Sequence, residues 1–136
     1  MSLAEKQQQL TDDLLLIENS QERLSVVVDR ARRLKPLPET ERTDAHRVRG
    51  CVSQVWLVGE LRAGRCHFRC DADGPLVKGL VALLCEYFSD ALPAEILASD
   101  TEPLDALGLM ENLSPTRQNG LAAVQAAIRA FAAAHA

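Results

Sequence analysis

From Ser20 onward the hydrophobic positions fall into a helical rhythm. In SQERLSVVVDRARRL the residues Leu24, Val27, Val28, Ala31 and Leu34 recur three or four apart, the spacing that lines one face of an α-helix. Ser20 reads as the N-cap, and Glu22 suits the positive end of the helix in the first turn. Pro36 and Pro38 cannot continue a helix, and the polar residues after them in KPLPETERTDAH have no period, so this stretch reads as a loop leading to Cys51. From Val52 the pattern turns to β-branched and aromatic residues in VSQVWLVGEL, then RAG, then RCHFRC. That predicts a hairpin turning at about Arg62 to Gly64. Alternation places Cys66, Phe68 and Cys70 on one face of the second strand, toward the core, and His67 and Arg69 on the other.

The acidic turn DADGP ends the sheet, and Asp71 or Asp73 is placed to cap the helix LVKGLVALLCEYFSD, whose Leu76, Leu80, Leu84 and Phe88 form an apolar stripe. Gly79 inside that helix costs ~1 kcal/mol against alanine, which points to a close neighbour. LPAEILASD and EPLDALGLM read as short helices with prolines near their starts. LSPTRQNGLAAVQAAIRAF reads as a long last helix with Ser114 capping and Pro115 in the first turn, and Gly120 reads as an early interruption. Helix, then strands, then helices predicts an α+β fold, with helices packed on one face of a small antiparallel sheet.

A chain of 136 residues fits one domain, 1–136. The 15 basic and 19 acidic residues leave a mildly acidic whole, which argues against a nucleic-acid protein relying on a broad basic face. Trp56 and Tyr87 are too few for a base-stacking platform. The polar start MSLAEKQQQL is unlike a secretory signal, and no segment has the ~20 apolar residues needed to cross a bilayer. The expectation is a cytoplasmic protein without a membrane partner. In a reducing compartment Cys51, Cys66, Cys70 and Cys85 are free thiols, metal ligands or reactive groups rather than structural disulfides.

Cys51 differs from the others. It follows Gly50, precedes the first strand, and lies near Arg42, His46, Arg47 and Arg49. Positive neighbours favour the thiolate, which is both the nucleophile and the metal ligand. Glycine before it permits a sharp turn and close access. The competing reading is a buried, inert cysteine. Cys66 and Cys70 share a predicted core face and Cys85 sits in an apolar helix, so all three read as packing. A metal site built from Cys51, Cys66, Cys70 and a histidine lacks any CxxC pair and has no tetrahedral zinc spacing. His46 can act as a base or positive neighbour for Cys51, against the simpler reading of a solvated loop histidine. His67 reads as solvent-facing, and His135 is terminal.

Three stretches in order resemble the SufE family of sulfur-acceptor proteins: RVRGCVSQVWL around Cys51, DADGPLVKGLVALL, and LSPTRQNGL. The upstream TDDLLLIENSQERLSVVVDRARRLKPLP also follows the family's lead-in, so the resemblance spans nearly the whole chain. It implies an α+β fold shared with IscU-type scaffold proteins. It also implies that Cys51 accepts persulfide sulfur from a partner cysteine desulfurase, whose cofactor is pyridoxal phosphate, and hands it on to an iron–sulfur scaffold or another acceptor. On that resemblance the chain binds no cofactor or metal of its own and acts as a sulfur-transfer partner of the desulfurase, which it also enhances, rather than as a stand-alone enzyme. Gly50 matches the need for a mobile loop; Arg117 and Asp73 carry over as supporting residues. His46 stands where members mostly carry asparagine, and Gln21 and Leu24 where tryptophan and tyrosine are frequent.

Two other readings stay open at this point. One is a scaffold that holds a metal or nascent cluster through Cys51 and other cysteines. The other is a regulatory partner that activates a desulfurase by contact alone, with Cys51 dispensable.

Overall fold

The structure is a computed structural model that describes residues 2–111 and 113–136. Among these residues the order of elements is α1 (Leu3–Leu15), α2 (Ser20–Arg32), β1 (Val55–Arg62), β2 (Arg65–Ala72), α3 (Pro75–Phe88), α4 (Pro93–Ala98), α5 (Pro103–Ala106) and α6 (Pro115–Ala134). This is the expected α+β architecture, with one antiparallel pair of strands.

The hydrophobic rhythm does not mark α1. It buries Leu3, Gln7 and Leu14, too sparse a set for a stripe, and one of the three is polar. Capping and hydrogen bonds hold it instead. Ser2 Oγ accepts from the Glu5 amide at 3.2 Å, Glu95 Oε2 accepts from the Leu3 amide at 2.9 Å, and the Gln7 amide donates to the Tyr87 carbonyl at 3.2 Å. Such partners are what a buried polar side chain requires.

α2 begins one residue earlier than Ser20 suggests: Asn19 is the N-cap, its side chain accepting from the Gln21 and Glu22 amides. Its buried face is Arg23, Val27 and Ala31. Leu24 is only half-buried, and Leu34 lies past the helix end and is exposed. Arg23 takes the inward place because its guanidinium ties down three chain segments. Nε donates to the Leu14 and Ile17 carbonyls at 3.1 and 3.2 Å, Nη2 donates to Ile17 at 2.7 Å, and Nη1 donates to the Leu107 carbonyl. These are carbonyls at the C-terminal ends of α1 and α5 and in the turn after α1, where helix ends leave backbone acceptors available.

The hairpin pairs Val55 with Ala72 through Arg62 with Arg65. Its two turn residues, Ala63 and Gly64, have φ of 51° and 78°, the double left-handed conformation of the tight turn that matches strand twist. Cys66, Phe68 and Cys70 are buried on the face that meets the helices, where Phe68 packs edge-on against Phe131 of α6 with centroids 5.4 Å apart. Gly59 lies beside Phe68 across the strands, and a Cβ there would come within 2.6 Å of the Phe131 ring. On the opposite face Asp71 is buried and accepts from the Leu37 amide at 3.0 Å, while Arg69 pairs with Glu41. The proline segment therefore crosses that face. Both sheet edges are covered: Val48 donates to the Val55 carbonyl and Leu57 to that of His46, while on the other side Cys66 donates to the Ala91 carbonyl. Covered edges do not template aggregation.

Neither aspartate of the acidic turn caps α3. Gly74 is the N-cap without a side-chain hydrogen bond, and Pro75 opens the helix. Asp71 is turned back into the sheet, 3.5 Å from Lys78 Nζ, and Asp73 is exposed. Leu80, Leu84 and Phe88 are buried as the stripe requires. Gly79 allows α2 to approach: a Cβ would meet Val28 Cα at 3.0 Å. α6 is capped by Ser114, whose side chain accepts from the Arg117 amide, and runs unbroken through Gly120, burying Leu121, Val124, Ile128 and Ala132. Gly120 is thus no interruption. No helix among the described residues is long and apolar enough to cross a membrane.

Candidate thiol site

The bond from the Val48 amide to the Val55 carbonyl, 2.8 Å, closes a loop of residues 49–54, and Cys51 sits within it. The loop rests on α6. Gly50 adopts φ +94°, and a Cβ there would meet Ala123 Cβ at 3.3 Å, so this position demands both the left-handed backbone and the missing side chain. Directly below, Cys51 Sγ donates to the Gly120 carbonyl at 3.2 Å. A Cβ on Gly120 would be 3.4 Å from that sulfur. Gly120 therefore forms part of the seat for the thiol, in a looser fit than the 3.0 Å approach at Gly79.

The rest of the seat is aliphatic. Val55, Val77, Leu80, Val81, Leu121 and Val124 line a cavity of about 30 Å³ beneath the thiol, with Thr116 and Arg117 at its side. Withdrawal into this wall raises the Cys51 thiol pKa, because burial disfavours the charged form, and the nearby Arg47 offsets this only in part. The sequence expectation that the arginine cluster favours a resting thiolate is reversed here. The hydrogen bond to Gly120 acts the same way, since a carbonyl accepts from a thiol and repels a thiolate. Arg42 is engaged elsewhere, with its guanidinium 6.0 Å from the centre of the Trp56 ring.

The candidate supporting residues divide. Gly50 shapes the loop and Arg117 walls the pocket. Arg117 has no ion-pair partner among the described residues. His46 is held apart: its Nδ1 lies 3.0 Å from the Glu41 carbonyl, and its own carbonyl accepts from Leu57. Asp73 is exposed and does not line the pocket. The side chain that sequence reading passed over is Val52, next to Cys51 and 80 % exposed.

The remaining cysteines are buried, and Cys51 alone is partly accessible. Burial raises the Cys66 thiol pKa. A hydrogen bond to Cys70, which keeps the proton on Cys85, and burial raise that of Cys85. Among the described residues no three His, Cys, Asp or Glu side chains converge to hold a metal. A cavity of about 700 Å³ between α2, the Lys35–Pro38 segment, β2 and α3 shares no lining residue with the Cys51 pocket.

Fold and site define an α+β protein that presents one accessible thiol on a short loop. The family described as Fe-S metabolism associated domain, SufE, matches residues 8–132, and the chain belongs to this family. It is 36 % identical over 126 residues to an uncharacterized SufE-like protein of Rhizobium etli, covering 89 % of this chain and 85 % of that one. A SufE-like protein of Rhizobium meliloti is 35 % identical over 118 residues, 83 % and 84 % of the two chains. One from Synechocystis is 39 % identical over 89 residues, 65 % of this chain and 56 % of that longer one. The solution structure of a hypothetical protein from Thermus thermophilus shares the fold, with TM-score 0.77 and 21 % identity over 96 % of this chain and 95 % of that one. Family membership assigns the protein a role in iron–sulfur metabolism.

Proposed function

We propose that this protein is a sulfur carrier whose Cys51 takes persulfide sulfur from a cysteine desulfurase and passes it on for iron–sulfur cluster assembly. The observation that carries this reading is the setting of Cys51: one accessible thiol of four, on a loop turned by Gly50 at φ +94°, within a family of iron–sulfur metabolism. A buried packing cysteine needs no such loop.

In the transfer step the Cys51 thiolate attacks the outer sulfur of the desulfurase persulfide. The new S–S bond forms on Cys51, the old one breaks, and the desulfurase cysteine leaves as a thiolate. One neutral sulfur atom moves, with no net oxidation. The Cys51 proton is lost to solvent or a partner base, and the departing thiolate regains one. Chemistry of this kind follows the rules of thiol–disulfide exchange, so thiolate fraction and access set the rate. At rest both are reduced, since burial raises the thiol pKa and the partly exposed sulfur rests on Gly120. Turning the loop outward would raise both. Pyridoxal phosphate belongs to the desulfurase in this scheme, and the carrier brings no cofactor of its own. Arg117, at the pocket wall and without an ion-pair partner among the described residues, is suited to hold the anionic persulfide once formed.

The test is intact-protein mass spectrometry before and after incubation with a cysteine desulfurase and free cysteine. The native chain should gain one sulfur that a reductant removes, and Cys51→Ser should gain none while keeping its melting temperature. A native chain that stays unmodified with every desulfurase tried overturns the reading.

A further inference from the structure

Two adjacent side chains in the Cys51 loop occupy each other's natural places. Cys51, the residue that must react, is turned inward onto an aliphatic wall. Val52, an aliphatic residue with no chemistry, is 80 % exposed to water although it touches the rim of the same pocket. We infer that Val52 is a counterpart to Cys51: when the loop turns to present the thiol, Val52 enters the seat that the thiol leaves. The inference rests on the reading that Cys51 must be presented to a partner.

The seat suits a valine. Its walls are Val55, Val77, Leu80, Val81, Leu121 and Val124, and below the thiol a cavity of about 30 Å³ remains, which gives room for the wider β-branched side chain. Withdrawing the thiol alone would leave a larger hollow with purely aliphatic walls, which stays dry and destabilises the state that contains it. Filling it with Val52 removes that cost and takes an exposed apolar group out of water. The outward state thus keeps nearly the apolar burial of the resting one, and the exchange needs only a local turn of the loop. The hinge is already present, since Gly50 at φ +94° moves between left- and right-handed backbone without a Cβ penalty. Val52 is in this sense a positioning residue that acts through Cys51.

The exchange is tested without any desulfurase by the rate at which iodoacetamide alkylates Cys51, read by peptide mass so that the buried cysteines do not contribute. Val52→Asn places a neutral polar group where it cannot enter the aliphatic seat. The pH-independent alkylation rate at high pH should fall about fivefold or more, with the melting temperature unchanged because the residue is exposed at rest. Val52→Ile should keep the native rate. An unchanged rate in Val52→Asn overturns the exchange. So does a fall shared equally by Val52→Ile, which would make the position sensitive to any change. If the native chain accepts sulfur while Val52→Asn alkylates normally, the exchange fails and the carrier reading stands. If the native chain accepts none while the alkylation pattern holds, the carrier reading fails and the loop device stands.

Discussion

Cys51 Sγ and the carbonyl oxygen of Gly120 lie 3.2 Å apart, and a Cβ on this glycine would stand in contact with the sulfur at 3.4 Å. The proposed acceptor thiol is thereby held toward its neutral form. Substituting Gly120 by valine should displace it: the Cβ itself would stand in ordinary contact, 3.4 Å from the sulfur, so the two further methyls must take space from the thiol. The expected result is a loss of about 1–3 kcal/mol from overpacking, read by thermal melting, together with several-fold faster alkylation of Cys51. A variant that melts earlier but alkylates at the native rate would show that Gly120 serves packing only.

The same placement sets a pH dependence. The folded thiol pKa is raised by burial, with Arg47 opposing, so the neutral thiol persists to higher pH than in a free cysteine. The alkylation rate of Cys51 should accordingly rise with an inflection above that of a free cysteine. Arg47→Ala removes the opposing positive charge and should move the inflection further up. An inflection at or below the free value would mean that the arginines outweigh burial after all.

Arg23 is 6 % exposed with carbonyls as its hydrogen-bond partners. Lysine cannot reproduce a planar fork that reaches Leu14, Ile17 and Leu107 at once. Arg23→Lys should lower stability by about 2–4 kcal/mol, since hydrogen bonds to charged groups are strong and the stranded carbonyls remain buried. Urea unfolding with an unchanged slope would register this. A change under about 0.5 kcal/mol would mean the carbonyls find other partners.

Asp71 and Asp73 separate by position. Asp71 accepts from the Leu37 and Ala72 amides at 3.0 and 2.9 Å and is buried, so Asp71→Ala should cost about 2–3 kcal/mol. Asp73 is exposed and caps nothing, so Asp73→Ala should stay within about 0.5 kcal/mol of the native stability. Melting both variants side by side checks the contrast. A loss near 1 kcal/mol in Asp73→Ala would restore it as a cap.

The elements that a single periodicity governs were legible in the sequence. The stripe of α3, the alternation of β2, the hairpin turn at Gly64 and the capped start of α6 each follow from local spacing and backbone preference, which depend on neighbours in the chain. Cys51 was singled out by its immediate context, Gly50 before it and arginines around it. Other features depend on partners far along the chain, and local pattern carries no signal for them. α1 is held by residues some eighty to ninety positions away, Tyr87 and Glu95. Arg23 is inward because carbonyls from three segments converge on it. Asp71 turns to Leu37 rather than to the helix it precedes. Most of all, the state of the Cys51 thiol was decided by tertiary structure: nearby arginines suggested a thiolate, but burial against α6 and the carbonyl of Gly120, 69 positions away, favour the neutral form. Sequence by itself singled out Cys51 as the candidate thiol, through the types of its neighbours and the family motif around it. Only the fold decided how that residue waits, because desolvation belongs to the packed surroundings and not to the chain next to it.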